Sequence, residues 1–150
     1  MQASAAEARA MSRFFTVQQY FVIGASSNCA KFGNKVLRWY LDRHMPVTPV
    51  HPSAPSVEGI NAIKVLEDAS LNIKTSVSVV TPPAISLSLL QRYAHNKEIE
   101  AFWLQPGAAD APVIVWLRSQ PQDIQNKVIF SGACILVQGP ELLYQQRGWL

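Results

Sequence analysis

The chain has 150 residues, 49% of them hydrophobic and 15% charged, and a formal charge of +3. That length suits one globular domain with a sizeable buried core. No apolar stretch reaches the length of a membrane span and the Lys and Arg residues are scattered, so neither a membrane nor nucleic acid is an expected partner.

Residues 1–13, rich in alanine with Arg9 and Arg13, read as a flexible leader of a cytoplasmic protein. A mitochondrial transit segment is the alternative, which Glu7 and the shortness of the stretch disfavour. The domain itself is expected over residues 14–150, with Phe14 and Phe15 anchoring the leader to it. Tyr20–Ile23 is a continuous apolar run and predicts a strand buried on both faces.

The run stops at Gly24, a loop of small polar residues follows, and a second glycine, Gly33, opens a helical pattern. Such an order builds a phosphate site, because small side chains let an anion reach backbone and helix N–H groups. The usual dinucleotide fingerprint wants three glycines where this chain has Gly24, Ser26 and Cys29. An ordinary dinucleotide is therefore a poor fit.

Val36, Leu37, Tyr40, Leu41 and Met45 share one helical face, predicting a helix over Asn34–Met45 that Pro46 ends. Val47–Val50 predicts a second strand, and Pro49 within it suits an open sheet edge. A loop from His51-Pro52 to Ser56 comes next, then a short strand near Ala62–Val65. Ser76–Val80 predicts a strand stopped by Thr81-Pro82-Pro83, and Ala84–Asn96 a helix. His44 and His95 fall at helix ends, where a cation suits the dipole, and no chemistry is assigned to them. Ala101–Leu104 is a buried strand closed by Gln105-Pro106-Gly107. Val113–Leu117 has strand propensity, yet Asp110 and Pro112 are helix-start signals, and the alternation of elements favours a helix. Val128–Phe130 predicts a last strand, Gly132 to Gly139 a turn-rich close around Cys134, and Glu141–Leu150 a tail that covers the core or forms a dimer contact.

Strands alternating with helices predict an α/β domain whose parallel sheet has about five or six strands. The loops Gly24–Gly33, His51-Pro52, Thr81-Pro82-Pro83 and Gln105-Pro106-Gly107 then gather on one edge. The set Gly24-Ala25-Ser26-Ser27, Lys31-Phe32-Gly33, His51-Pro52, Glu58-Gly59, Val80-Thr81-Pro82-Pro83 and Trp103-Leu104-Gln105-Pro106-Gly107 resembles the CoA-binding domain family. These are stand-alone proteins similar to the N-terminal domain of the succinyl-CoA ligase alpha subunit. The resemblance runs from Phe14 to Cys134 and implies a three-layer Rossmann-like fold.

It also implies CoA or acyl-CoA as the ligand. Gly24, Ala25, Ser26 and Ser27 match the family's phosphate loop, and Lys31 its basic position. Phe32, Gly33 and Asn34 match the helix start that faces the pyrophosphate. Pro52 matches an Asn-Pro motif in which His51 replaces the asparagine. Thr81, Pro82 and Pro83 would line the adenine or pantetheine side, Gln105 and Gly107 match the loop after the fifth strand, and Cys134 falls near a cysteine seen in many relatives.

One check is independent of the resemblance. An NAD enzyme wants Asp or Glu at the end of the second strand, and Val50-His51-Pro52 offers none before Glu58. A ligand with a phosphorylated ribose, CoA or NADP, fits better. With no catalytic set or metal-ligand spacing among these loops, the first reading is a non-catalytic CoA-binding module. The alternatives are an NADP-binding oxidoreductase, a partner-dependent subunit of an acyl-CoA enzyme, and an interaction domain on a vestigial nucleotide fold. A homodimer or a protein partner is compatible with each. Cys29 lies near a helix start and reads either as an inert loop thiol or as one able to form a mixed disulfide with CoA.

Overall fold

A computed structural model describes residues 4–148. Strands β1 (Gln19–Ile23), β2 (Val47–Val50), β5 (Thr75–Val79), β6 (Ile99–Leu104) and β7 (Val128–Ile129) form one sheet in the order β2-β1-β5-β6-β7. Every pairing in it is parallel. The helices are α1 (Ala5–Arg13), α2 (Phe32–Leu41), α3 (Pro83–Tyr93), α4 (Ala111–Arg118), α5 (Gln122–Gln125) and α6 (Ile135–Arg147). The result is the expected three-layer, Rossmann-like α/β fold. Strand order reverses at β1, so the crevice between the ends of β1 and β5 is the natural ligand position.

Period-two alternation divides the core. Tyr20, Val22, Ala101 and Trp103 face one layer with Val36, Leu37, Tyr40, Ile135 and Leu143 of α2 and α6. Phe21, Val77, Val79, Phe102 and Leu104 face the other with Leu90, Val113 and Leu117 of α3 and α4. On the first face the aromatic rings are crowded: Phe14 meets Trp103 edge-on at 5.1 Å, and Tyr20 lies 5.3 Å from Tyr40. Central strand β5 makes room with two small residues whose hydroxyls find partners. Ser76 donates to the Phe14 carbonyl at 2.7 Å, and Ser78 is 2.7 Å from the Tyr40 hydroxyl.

Five local expectations need correction. The supposed leader is helix α1, capped by Ser4 and buried through Ala10. Its Glu7 is fully buried and accepts from the Ser131 N–H and hydroxyl. Helix α2 starts at Phe32 and ends at Leu41, short of Met45. There the Met45 N–H reaches the Tyr40 carbonyl and the His44 N–H the Leu41 carbonyl, with His44 left-handed at φ 55°. That is a Schellman stop in which histidine occupies the place usually given to glycine. His44 therefore lies beyond the helix.

Ala62–Val65 is not a strand. Instead β3 (Ser56–Val57) and β4 (Ile60–Asn61) make a hairpin whose turn residues Glu58 and Gly59 both have positive φ, the signature of a tight hairpin turn. Only Ile63 bridges to Val50, and it meets the open side of Pro49 on edge strand β2. The expected close at Gly132–Gly139 gives way to α6, which continues through Gly139 and Pro140. Gly139 is required there by contact: a Cβ would lie 2.7 Å from the Trp39 ring. The tail from Glu141 belongs to this helix and buries Leu143; Trp149 and Leu150 lie outside the described residues.

The weighed helix at Val113–Leu117 is α4. Asp110 accepts from the Val113 N–H at 3.2 Å and Pro112 sits in the first turn, so start signals outweighed strand propensity.

Candidate functional site

Strand β1 runs into Gly24, whose φ of +92° is open to glycine and strained for other residues. A Cβ there would sit 1.9 Å from the Val80 carbonyl, and a Cβ on Gly33 would sit 2.0 Å from the Gly24 carbonyl. The two glycines thus let three backbone segments touch: the end of β1, the residue after β5, and the first turn of α2. This contact brings the start of α2 against the switch-point crevice.

The loop between the glycines holds its own shape. Ser26 Oγ accepts from the Asn28 N–H at 3.0 Å, and Asn28 Oδ1 accepts from the Ala30 N–H at 2.9 Å, two local turns of the kind these residues favour. Asn34, on α2, reaches back and donates to the Ser26 carbonyl at 2.8 Å. Among the described residues no side chain caps α2 at Lys31. Its first N–H groups remain for a ligand, at the positive end of the helix dipole.

A cavity of about 380 Å³ opens at this point, lined by Gly24, Ala25, Ser26, Lys31, Phe32, Gly33, His51 and Val80. His51 arrives from the end of β2. Its Nδ1 accepts from the Ser53 and Ala54 N–H groups at 3.1 and 2.8 Å. The neutral ring then carries its hydrogen on Nε2, by the logic of the hydrogen-bond network. Lys31 and an Nε2–H donor beside open helix N–H groups make a site that favours a negatively charged ligand.

The other predicted residues are distributed differently. Asn34 lines a neighbouring groove, and Ser27 is exposed on the loop. Pro52, Thr81, Pro82 and Pro83 lie outside the cavity lining, although Val80 within it directly precedes Thr81. The Thr81 hydroxyl pairs with Ser86 at 2.8 Å at the start of α3. Gln105 is buried, and its Oε1 accepts from the Ile135 N–H at 3.0 Å, so it closes the start of α6. Gly107 is exposed with a φ of +91° and shapes the turn after β6. Val80 was legible as the last apolar residue of its strand. The neighbouring groove, built by side chains along the outside of α2, had no linear motif to announce it.

The model of the family described as CoA binding domain matches residues 18–140. The chain belongs to that family. Membership gives it a CoA-related binding role. Among solved structures, a conserved hypothetical protein from Pyrococcus furiosus is 25% identical over 81% of this chain and 98% of its own, with a TM-score of 0.68. A hypothetical protein from Pyrococcus horikoshii OT3 is 16% identical, covers 95% and 99% of the two chains, and has a TM-score of 0.71. A protein from Thermus thermophilus is 20% identical over 93% and 99%, with a TM-score of 0.70. The last two likenesses show the fold alone. No curated protein matches the chain.

No helix among the described residues is long and apolar enough to cross a membrane. The described residues also contain no group of three or more His, Cys, Asp and Glu side chains arranged to hold a metal ion.

Proposed function

We propose that the protein is a non-catalytic CoA or acyl-CoA binding protein. The Gly24–Asn34 loop and the start of α2 hold the CoA phosphates. The observation carrying this reading is the uncapped first turn of α2 opening on a cavity that also holds Lys31. A pyrophosphate there accepts from the N–H groups of that turn, while Lys31 supplies a mobile positive charge. His51 offers its Nε2–H from the β2 side, where an NAD-binding protein would place a carboxylate. A phosphorylated ribose is therefore tolerated at that edge. Lys31 and His51 act as holding groups: one is a point charge, and the other has its Nδ1 committed to the loop. The two free cysteines, Cys29 exposed and Cys134 partly buried, suit a reducing compartment such as the cytoplasm.

NADP shares the phosphorylated ribose and is the competing ligand. Thermal unfolding and calorimetry with CoA, acetyl-CoA, NADP, NAD and ATP separate the readings, because a ligand that binds only the folded state raises the melting temperature. CoA and acetyl-CoA at millimolar concentration are expected to raise it, and Lys31→Glu to remove most of the shift. A shift with NADP and none with CoA overturns the proposal.

A further inference from the structure

Beside the phosphate cavity lies a second opening of about 360 Å³ along the outside of α2. The two share the first turn of the helix: Gly33 lines the cavity, and Asn34, the next residue, lines the groove. The loop divides in the same way. Ser26 and Lys31 line the cavity, while Cys29 between them is exposed and lines the groove.

The groove is cationic and chemically incomplete. Lys35, Arg38 and Arg43 line it with one carboxylate, Asp42, and Arg38 Nε also lies 3.8 Å from Glu58 Oε1 in the β3–β4 turn, which leaves the cations in excess. The Arg43 guanidinium lies 4.2 Å from the centre of the Trp39 ring. Two of the lining side chains are almost wholly buried yet leave a polar atom without a partner. Asn34, 1% exposed, has a free acceptor in Oδ1, and Trp39, 5% exposed, has a free donor in its indole N–H. Native interiors rarely leave such atoms unmet, and a ligand that reaches them removes the cost. Thiol, cations, free donor and free acceptor together describe a place for a polar, anionic molecule with a reactive sulfur.

We propose that Cys29 and this groove form an exchange site for an anionic low-molecular-weight disulfide, with the disulfide of CoA as first occupant. The proposal rests on the phosphate-site reading: phosphates held at Gly33 bring the rest of the ligand past the first turn of α2 to Cys29. In the step, Cys29 gives up its proton and its sulfur attacks one sulfur of the ligand disulfide. The protein–CoA S–S bond forms, the ligand S–S bond breaks, and the departing CoA thiolate takes up a proton. One thiol and one disulfide are consumed and one of each is produced. The incoming disulfide is the only oxidant. The product is a protein carrying covalently held CoA, released again by exchange with a free thiol.

The test uses the full chain with both cysteines reduced. CoA disulfide, glutathione disulfide and neutral hydroxyethyl disulfide are compared by intact mass and peptide mapping over time. The CoA adduct is expected on Cys29, forming about tenfold faster than the neutral one, as a cleft of one charge sign accelerates an oppositely charged ligand. High salt, or Lys35→Glu with Arg38→Glu, is expected to erase that advantage. Equal speed with glutathione disulfide supports a site for anionic disulfides in general, and a faster CoA reaction supports the seating of its phosphates. Equal rates for neutral and anionic disulfides, or an adduct on Cys134 with Cys29 free, overturn the proposal. Calorimetry of Cys29→Ser with reduced CoA keeps the two readings apart. Normal binding by that variant beside an unreactive Cys29 removes this inference alone, whereas no CoA binding by variant and wild type removes the phosphate site and this inference with it.

Discussion

Helices α2 and α6 both start at the edge where the parallel strands end, and they treat their first turns in opposite ways. At α6 the protein supplies its own partners: Gln105 Oε1 takes the Ile135 N–H, and Gln138 Oε1 takes the Cys134 N–H at 2.8 Å. At α2 no side chain among the described residues caps the turn, and the cavity lies against it. Ser4 and Asp110 close the starts of α1 and α4, Pro83 has no N–H to satisfy at α3, and the one-turn α5 follows Pro121 without a side-chain cap. The difference separates two kinds of polar residue on one edge. Those around α6 hold the fold, whereas those around α2 leave its first N–H groups open beside the cavity.

The strongest way to break this contrast is Gly33→Val. Its Cβ would meet the Gly24 carbonyl, so the first turn of α2 must move off the loop. We expect a loss of about 2–4 kcal/mol in stability, read by urea denaturation, together with loss of the CoA-induced thermal shift. Normal CoA binding by a stable Gly33→Val protein would mean that the site lies elsewhere.

Gln105→Leu probes the closed start. It leaves the Ile135 N–H without its acceptor and should cost about 1–3 kcal/mol, with CoA affinity per folded molecule unchanged. If it weakened CoA binding while stability held, α6 would belong to the ligand as well.

A control far from both starts is the Glu67–Tyr93–Arg92 cluster. Burial, and then the hydrogen bond to Glu67, push the Tyr93 phenol up to about 12 from 10.0. The folded form holds that proton longer than the unfolded chain, so this contribution is whole below pH 10 and is lost as pH rises towards 12. Denaturation across that window should show a falling stability that Tyr93→Phe flattens, with CoA binding at neutral pH untouched. The same slope in the variant would assign it to other groups. The smallest expected effect is at the far end of α2. Relieving the left-handed His44 with His44→Gly should add roughly 0.5–1 kcal/mol, measured by the denaturation midpoint and without change in CoA affinity.

Much of this edge could be read from the chain. An apolar run that stops dead at Gly24, and a helical face that begins after Gly33, fix a strand–loop–helix without tertiary knowledge. Asp110 and Pro112 likewise identified α4 against the strand propensity of Val113–Leu117. Other parts depend on contacts remote in sequence. Gly139-Pro140 reads as a break, yet α6 runs through it, and the reason for the glycine is the Trp39 ring a hundred residues earlier. Gln105 reads as a ligand residue because it follows a strand at the right edge, and only the position of Ile135 shows what its amide holds. His44 carries no mark of a left-handed stop, since the usual mark is glycine. Cys29 stands out in the sequence, but the groove that gives it company is drawn from residues spread along α2 and just past its end, and from the flank of α6.

The bonds that join α6 to residues 11–17 bear on the order in which the fold closes. Gln146 accepts from the Phe15 N–H at 2.9 Å and donates to the Met11 carbonyl at 2.8 Å, while Arg147 donates to the Phe15 and Val17 carbonyls. Phe14, Phe15 and Tyr20 are translated well before α6, which together with α2 covers their layer. A ribosome-bound chain therefore carries this aromatic face only partly covered until α6 emerges, so a stall or truncation before Ile135 leaves a surface for chaperones to hold.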